Sequence, residues 1–495
     1  MKTVLAVLTA SLVLPLMQYA HAHAGQLDPT FGTNGVVILP NILPASPFDQ
    51  ANKVLIDPRD GSIVVVGRAG GDDSGVWRSS FGILRLHPDG RLDTGFGPHD
   101  DGIVVLPWGD GPAEAHAVVM DAGYDLVVGG TECPFAAVLW LTPNGYADDR
   151  YGIDNNGTAT FAINDDASHT TTLNAMTISQ VYDGDPTYYE LDFVGTYDGS
   201  GHSQFALGRY LSRTDLFPNW NPLLAAVDPP GTNGNGVATS IALSGPRNLL
   251  VGGYAQNASG STQCVVANYT ADAGCDTNAC YGSQWQIADS DYGNYGGAFV
   301  DQFYSAEFGS AAPCYIDALA STAGGNYVIA GGREFFPGAT RAVYFELNGV
   351  GGLLPYYNVF AMTPWGDNSI RQILPEDGGK WIFAGFSGAD LQNTPDPVVA
   401  RVNFLTNTLD PSFGTGGVSL LDFDVQDYAY GTTFGAALDA HGCTVIVGAY
   451  YNGDSDADGR DLSQMFIARL QPDSADTADT IFSNGFDPPR SLCGP

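Results

Sequence analysis

Positive charge is scarce in this sequence. Its 495 residues hold 19 Lys and Arg against 54 Asp and Glu, a formal net charge of −35. A surface of that sign repels phosphate backbones and anionic lipid, so no nucleic-acid partner is expected. Long apolar runs are missing after the first 24 residues, and no membrane insertion is expected either. Helical periodicity is also missing beyond that leader. Signatures of familiar chemistry are absent too. No His-Glu-x-x-His occurs, no phosphate-cradling glycine loop, and no basic patch interleaved with aromatics. Gly201-His202-Ser203-Gln204-Phe205 starts like a nucleophile elbow but lacks its closing Gly.

What is present begins with an export signal over residues 1–24. Lys2 is its charged start, Val4 to Met17 its apolar core, and Ala20-His21-Ala22 or Ala22-His23-Ala24 its cleavage site. The mature protein is expected to be exported, periplasmic or extracellular, and monomeric. The 63 Gly and 30 Pro are spaced at intervals, as in a turn-rich β protein.

The chain then repeats itself. A β-branched run ending in Gly appears as Ile63-Val64-Val65-Val66-Gly67 and again at Gly130, Gly195, Gly253, Gly332, Gly385 and Gly448. After each comes a loop and an alternating strand such as Phe81 to Leu86. A tight turn such as Pro88-Asp89-Gly90 follows, and then a segment such as Leu92-Asp93-Thr94-Gly95-Phe96-Gly97. Its strongest copies are Leu27-Asp28-Pro29-Thr30-Phe31-Gly32 and Leu409-Asp410-Pro411-Ser412-Phe413-Gly414. Weaker ones are Asp148 to Gly152, and Cys275-Asp276 followed by Cys280-Tyr281-Gly282. Four short strands per unit and seven units predict an all-β fold, a seven-bladed β-propeller of four-stranded blades over residues 25–473. The last unit lacks its Leu-Asp-x-x-Phe-Gly strand, and the mature chain begins with that strand. The N-terminal strand is therefore expected to close the ring, leaving residues 474–495 as a tail.

These motifs resemble the bacterial delta-60 repeat family, with Leu-Asp-x-[Ser/Thr]-Phe-Gly, Asp-Gly-x-[Ile/Leu]-Val-Val-x-Gly and Arg-Leu-x-Pro-Asp-Gly as the shared elements. The likeness spans about residues 26–473, and units three to five depart from it. It implies a repeat architecture and no particular activity. The ending Ile481-Phe482-Ser483-Asn484-Gly485-Phe486-Asp487 is similar to a short C-terminal segment of exported proteobacterial proteins. Asp73-Ser74-Gly75-Val76-Trp77 resembles a sialidase Asp-box with its Trp one place early, and no other unit repeats it.

Strand order assigns the loops to two faces. With the fourth strand outermost, turns 1–2 and 3–4 share one face and loops 2–3 and 4–1 the other. The second set is read as long and irregular, at 68–80, 106–114, 164–172, 254–263, 289–313, 386–396 and 449–464, and there a ligand is expected. In the longest, Tyr292, Tyr295, Phe299 and Tyr304 are candidate binding residues, able to stack on a sugar or to bury their own rings. Asp454, Asp456 and Asp458 alternate before Gly459, the spacing of a Ca2+ loop, although Met465 stands where the closing Glu belongs. Seven cysteines in an exported chain predict disulfides. Placement by face pairs Cys264 with Cys314, Cys275 with Cys280 and Cys443 with Cys493, leaving Cys133 free.

Two functions fit these features. One is an exported, non-enzymatic binding or scaffold propeller that holds a glycan, peptide or cell-surface partner on its long-loop face. The other is an extracellular, carbohydrate-active hydrolase or lyase using acids on that face.

Overall fold

The structure is a computed structural model. It describes residues 24–473 apart from short internal segments, the largest being 43–47, 107–111, 182–187, 213–221, 272–284, 389–394, 422–429 and 456–460. Seven antiparallel four-stranded blades stand in a ring. Blade 1 is Gln50–Ile56, Ile63–Ala69, Ser80–Leu86 and Ile103–Leu106, in that order from the axis outward. The first strands of successive blades touch around the axis, and that of blade 7, Tyr430–Leu438, touches that of blade 1. The outer strand of blade 7 is Val36–Ile38, paired antiparallel to Asp461–Leu470 with Val36 opposite Ala468.

The repeated glycine has a mechanical reason. In every blade but the third, the first strand bulges just after the residue that faces this glycine, for example between Ala51 and Lys53 opposite Gly67. The bulge drives a first-strand carbonyl toward the second strand. A Cβ at Gly67, Gly130, Gly253, Gly332, Gly385 or Gly448 would fall on that oxygen, and in the third blade one at Gly195 would fall on Thr172 O just ahead of the first strand. No side chain fits there, so the strongest repeat signal in the sequence marks a bulge beside the axis.

The other motifs form a joint between blades. Asp28 accepts the Thr30 N–H at 3.0 Å, closing a turn, and its other oxygen receives Arg469 at 2.7 Å. Arg469 lies over the buried Phe31 ring at 4.9 Å and also donates to Pro88 O in the 3–4 turn of blade 1. Gly32 N–H donates to Asp89 O of that same turn at 2.9 Å. Blades 1 and 2 repeat the scheme, with Arg85 on Asp93 at 3.3 Å and on Pro143 O at 2.7 Å, and Gly97 N–H on Asn144 O at 2.9 Å. Each Arg is shared between a strand-4 Asp and the next blade, which is why the three motifs recur together.

Blade 4 corrects one reading. The position of Phe-Gly there belongs to Tyr292-Gly293, whose Gly N–H donates to Val350 O at 2.9 Å. The copy expected at 275–282 lies outside the described residues. The loop contrast is also less clean than expected. Segment 254–263 is a tight turn between two paired strand ends, and the second strand of blade 7, Thr444–Ser455, runs on into the segment read as loop 449–464. The 3–4 connections of blades 3 and 4, by contrast, extend from Leu211 to Leu223 and from Ala271 to Trp285.

Candidate functional site

In six blades the bulge places one side chain, of a different type each time, at the axis on the face of the 2–3 and 4–1 loops. These are Asn52, His116, Thr239, Asp317, Arg371 and Phe434, with Asn174 standing at the same level in blade 3. Several reach across to the next blade. Asn52 Nδ2 donates to Ala115 O at 2.8 Å, Asn174 Nδ2 to Ala238 O at 2.8 Å, and Thr239 Oγ1 to Ile316 O at 2.7 Å. One inner-edge carbonyl on each of blades 2, 4 and 5 is thereby taken up by a side chain.

Two ionic groups face each other across this funnel. On blades 1 and 2, Glu114 takes Asn52 Nδ2 at 2.8 Å and stands 3.5 Å from Arg68 Nη1. Burial pushes the neighbouring His116 imidazole below its ordinary range, with Glu114 opposing and Arg68 adding to the shift. On blades 5 and 6, Asp317 pairs with Arg333 and lies 3.6 Å from Arg371. Arg333 sits over Tyr315 at 5.2 Å and Arg371 over Phe386 at 5.4 Å. Lys53 reaches from blade 1 to Gln372 of blade 6, 2.5 Å from Oε1. Burial brings the Lys53 ammonium down to about 8.

The sequence-derived candidates fall elsewhere. Tyr292 is 1% exposed and Phe299 3%; both lie in one core cluster, Phe299 tilted against Phe345 at 5.4 Å. Their rings are interior, so they present no stacking face. Tyr304 is described only as a backbone strand position, and Tyr295 lies outside the described residues. Asp454 is exposed, with its carboxylate bonded to Asn452 Nδ2 at 2.7 Å, while Asp456 and Asp458 are outside the described residues. Among the described residues no group of three or more His, Cys, Asp or Glu is arranged to hold a metal. Cys264 and Cys314 form a disulfide between blades 4 and 5, with Cα atoms 4.9 Å apart. Cys133 is a free, exposed thiol, Cys443 is disulfide-bonded, and Cys275, Cys280 and Cys493 are outside the described residues.

Sequence reasoning missed the funnel because the bulge residues follow no repeat: Asn52, His116, Thr239, Asp317, Arg371 and Phe434 are six different types. The signal that finds it is the glycine, which marks the level of each bulge without naming the residue there.

No family model matches the sequence, and no curated protein does. Among solved structures the fold is similar to Chaetomium thermophilum Sqt1 bound to the N-terminus of ribosomal protein L10, at 12% identity over 81% of this chain and 84% of that one, with a TM-score of 0.42. It is also similar to a catalytically inactive virginiamycin B lyase from Staphylococcus aureus with quinupristin, at 8% identity, 87% and 98% coverage and a TM-score of 0.42. NanB sialidase from Streptococcus pneumoniae follows at 9% identity, 88% and 70% coverage and a TM-score of 0.35. No functional residue is carried over from them.

Proposed function

We propose that this protein is an exported, non-enzymatic propeller that binds a ligand at the axial funnel on its 2–3 and 4–1 loop face. The observation that carries this is the ring of unlike side chains at the bulges. Elsewhere the repeat uses its Asp and Arg residues to close turns and join blades, so they are committed to structure. At the bulges the backbone is constant and the side chain changes from blade to blade, as in a scaffold that presents a site. Export rests on the leader at residues 1–24, and the Cys264–Cys314 disulfide suits an oxidising compartment.

On the funnel face burial raises the Asp49 and Glu132 carboxyls, and Asp49 accepts the Gly70 N–H at 2.8 Å and the Ile42 N–H at 2.6 Å. Glu114 and Asp317, the acids among the bulge-level groups just described, both stand against guanidinium groups. Asp121 and Asp125, whose pKa values are raised by burial, lie at the 1–2 turn of blade 2 on the opposite face. Asp121 accepts the buried Tyr151 hydroxyl at 3.1 Å. The test is to screen the exported protein against glycan and peptide arrays and map any hit by hydrogen exchange. Protection in the funnel and its loops is expected. Protection confined to the 1–2 and 3–4 turns, or conversion of the ligand to a product, would overturn the reading.

A further inference from the structure

The charge balance of the funnel runs against that of the chain. In a molecule of net charge −35, Lys53, Arg68, Arg333 and Arg371 gather at the bulges against Glu114, Asp317 and, beside Arg68, the buried Asp49. Asp317 is divided between two guanidinium groups, and Arg333 holds the closer contact. Arg371 is left with a carboxylate oxygen 3.6 Å from Nη1, and its Nε is buried without a hydrogen-bond partner among the described residues. Lys53 Nζ meets the neutral amide oxygen of Gln372, the residue next to Arg371. Two cations stand here partly withdrawn from water and, among the described residues, short of anionic partners, a costly arrangement that a bound anion would relieve.

Beside them lies a run of aromatic rings. Tyr254 meets Tyr315 edge-on at 4.7 Å, Tyr315 meets Phe335 at 5.2 Å, and Phe335 is 44% exposed. A ligand that suits both features has an anionic group and an apolar ring face. An extended peptide would seek strand edges for its backbone. Here inner-edge carbonyls of blades 2, 4 and 5 already accept Asn52, Asn174 and Thr239, which favours recognition by side chains.

We propose, resting on the binding role above, that the funnel binds an acidic saccharide through the carboxylate of a uronic acid unit. The carboxylate lies on Arg371 and Lys53, and a neighbouring sugar ring packs on the exposed Phe335 ring, which Tyr315 backs. A planar guanidinium matches a carboxylate in two parallel hydrogen bonds, which a neutral ester cannot accept with the same strength.

Calorimetric titration of the exported protein with trigalacturonic acid, its methyl ester and an aspartate-rich pentapeptide tests this. The acid is expected to bind at least about tenfold more tightly than the ester, the ratio set by roughly one charge-assisted bond. Arg371→Gln is expected to weaken the acid about tenfold, and so is Lys53→Gln, which leaves the Asp317 pairs in place. Melting curves of both variants establish that they fold. Equal binding of acid and ester, or wild-type affinity in both folded variants, overturns the proposal. Binding of the peptide alone, with protection at the funnel, also overturns it while leaving the binding role intact. If an array hit protects only the opposite face, the binding role falls with it.

Discussion

Asp125 shows how burial acts on a single residue here. Burial lifts its carboxyl to about 6, Asp121 adds to the lift, and Arg150, 2.6 Å away, opposes it. With the folded-state pKa above the unfolded value of about 3.9, the contribution of this group to stability is complete below that value. It is lost as the pH rises through about 6. Asp125→Asn is therefore expected to raise the unfolding free energy at pH 7.5 by about 1 kcal/mol, less than the full shift implies because the Arg150 pair is weakened. At pH 4 the variant and the parent should denature alike in urea. Equal destabilisation at both pH values would mean that the ion pair outweighs the burial. The same scale explains Tyr292 and Phe299. In sequence they are aromatics among acids, as a sugar site would be, and only packing reveals them as interior.

At the scale of the element, the joint between blades depends on close approach of a turn to a buried ring. Gly145, in the 3–4 turn of blade 2, has φ +81°, and a Cβ there would stand 2.7 Å from Gly97 N and 2.8 Å from the Phe96 ring. Gly260, in a 2–3 turn of blade 4, has the same φ with nothing within 4 Å. The pair separates backbone strain from packing. Gly260→Ala is expected to lower stability by about 1 kcal/mol, the strain of a left-handed residue with a side chain. Gly145→Ala should lose about 1–3 kcal/mol more through overpacking against Phe96. Chemical denaturation of the two variants checks this, and equal losses would show that the turn gives way without disturbing the joint. The turn glycine was legible in the sequence as punctuation. Its second duty, making room for the preceding blade, was not, because the two residues belong to different units.

For the whole molecule, the question is what holds the ends of the chain. Asp28 and Arg469 are both buried and meet at 2.7 Å, across nearly the full length of the chain. Removing residues 27–39 would strip the partner from a buried guanidinium and uncover the outer edge of blade 7. Loss of one member of a buried pair costs about 3–5 kcal/mol, and Phe31 leaves the core as well. The truncated protein is expected to melt well below the parent in a calorimetric scan. An unchanged melting temperature would mean that the N-terminal strand is dispensable and that the ring stands without it.

The blade count and the four-strand unit were determined by sequence alone, and strand direction narrowed the cysteine pairing toward the Cys264–Cys314 bridge that the structure holds. They depend on turn chemistry and strand period, which are local and repeat with the chain, and on which end of a strand a residue occupies. The funnel was decided only by the tertiary structure. Its members, Lys53, Asp317, Arg333 and Arg371, come from blades 1, 5 and 6, and hydrogen bonding joins Lys53 to Gln372 over 319 positions of sequence. No local rule relates such residues, because a ring brings them together only when its first and last blades meet.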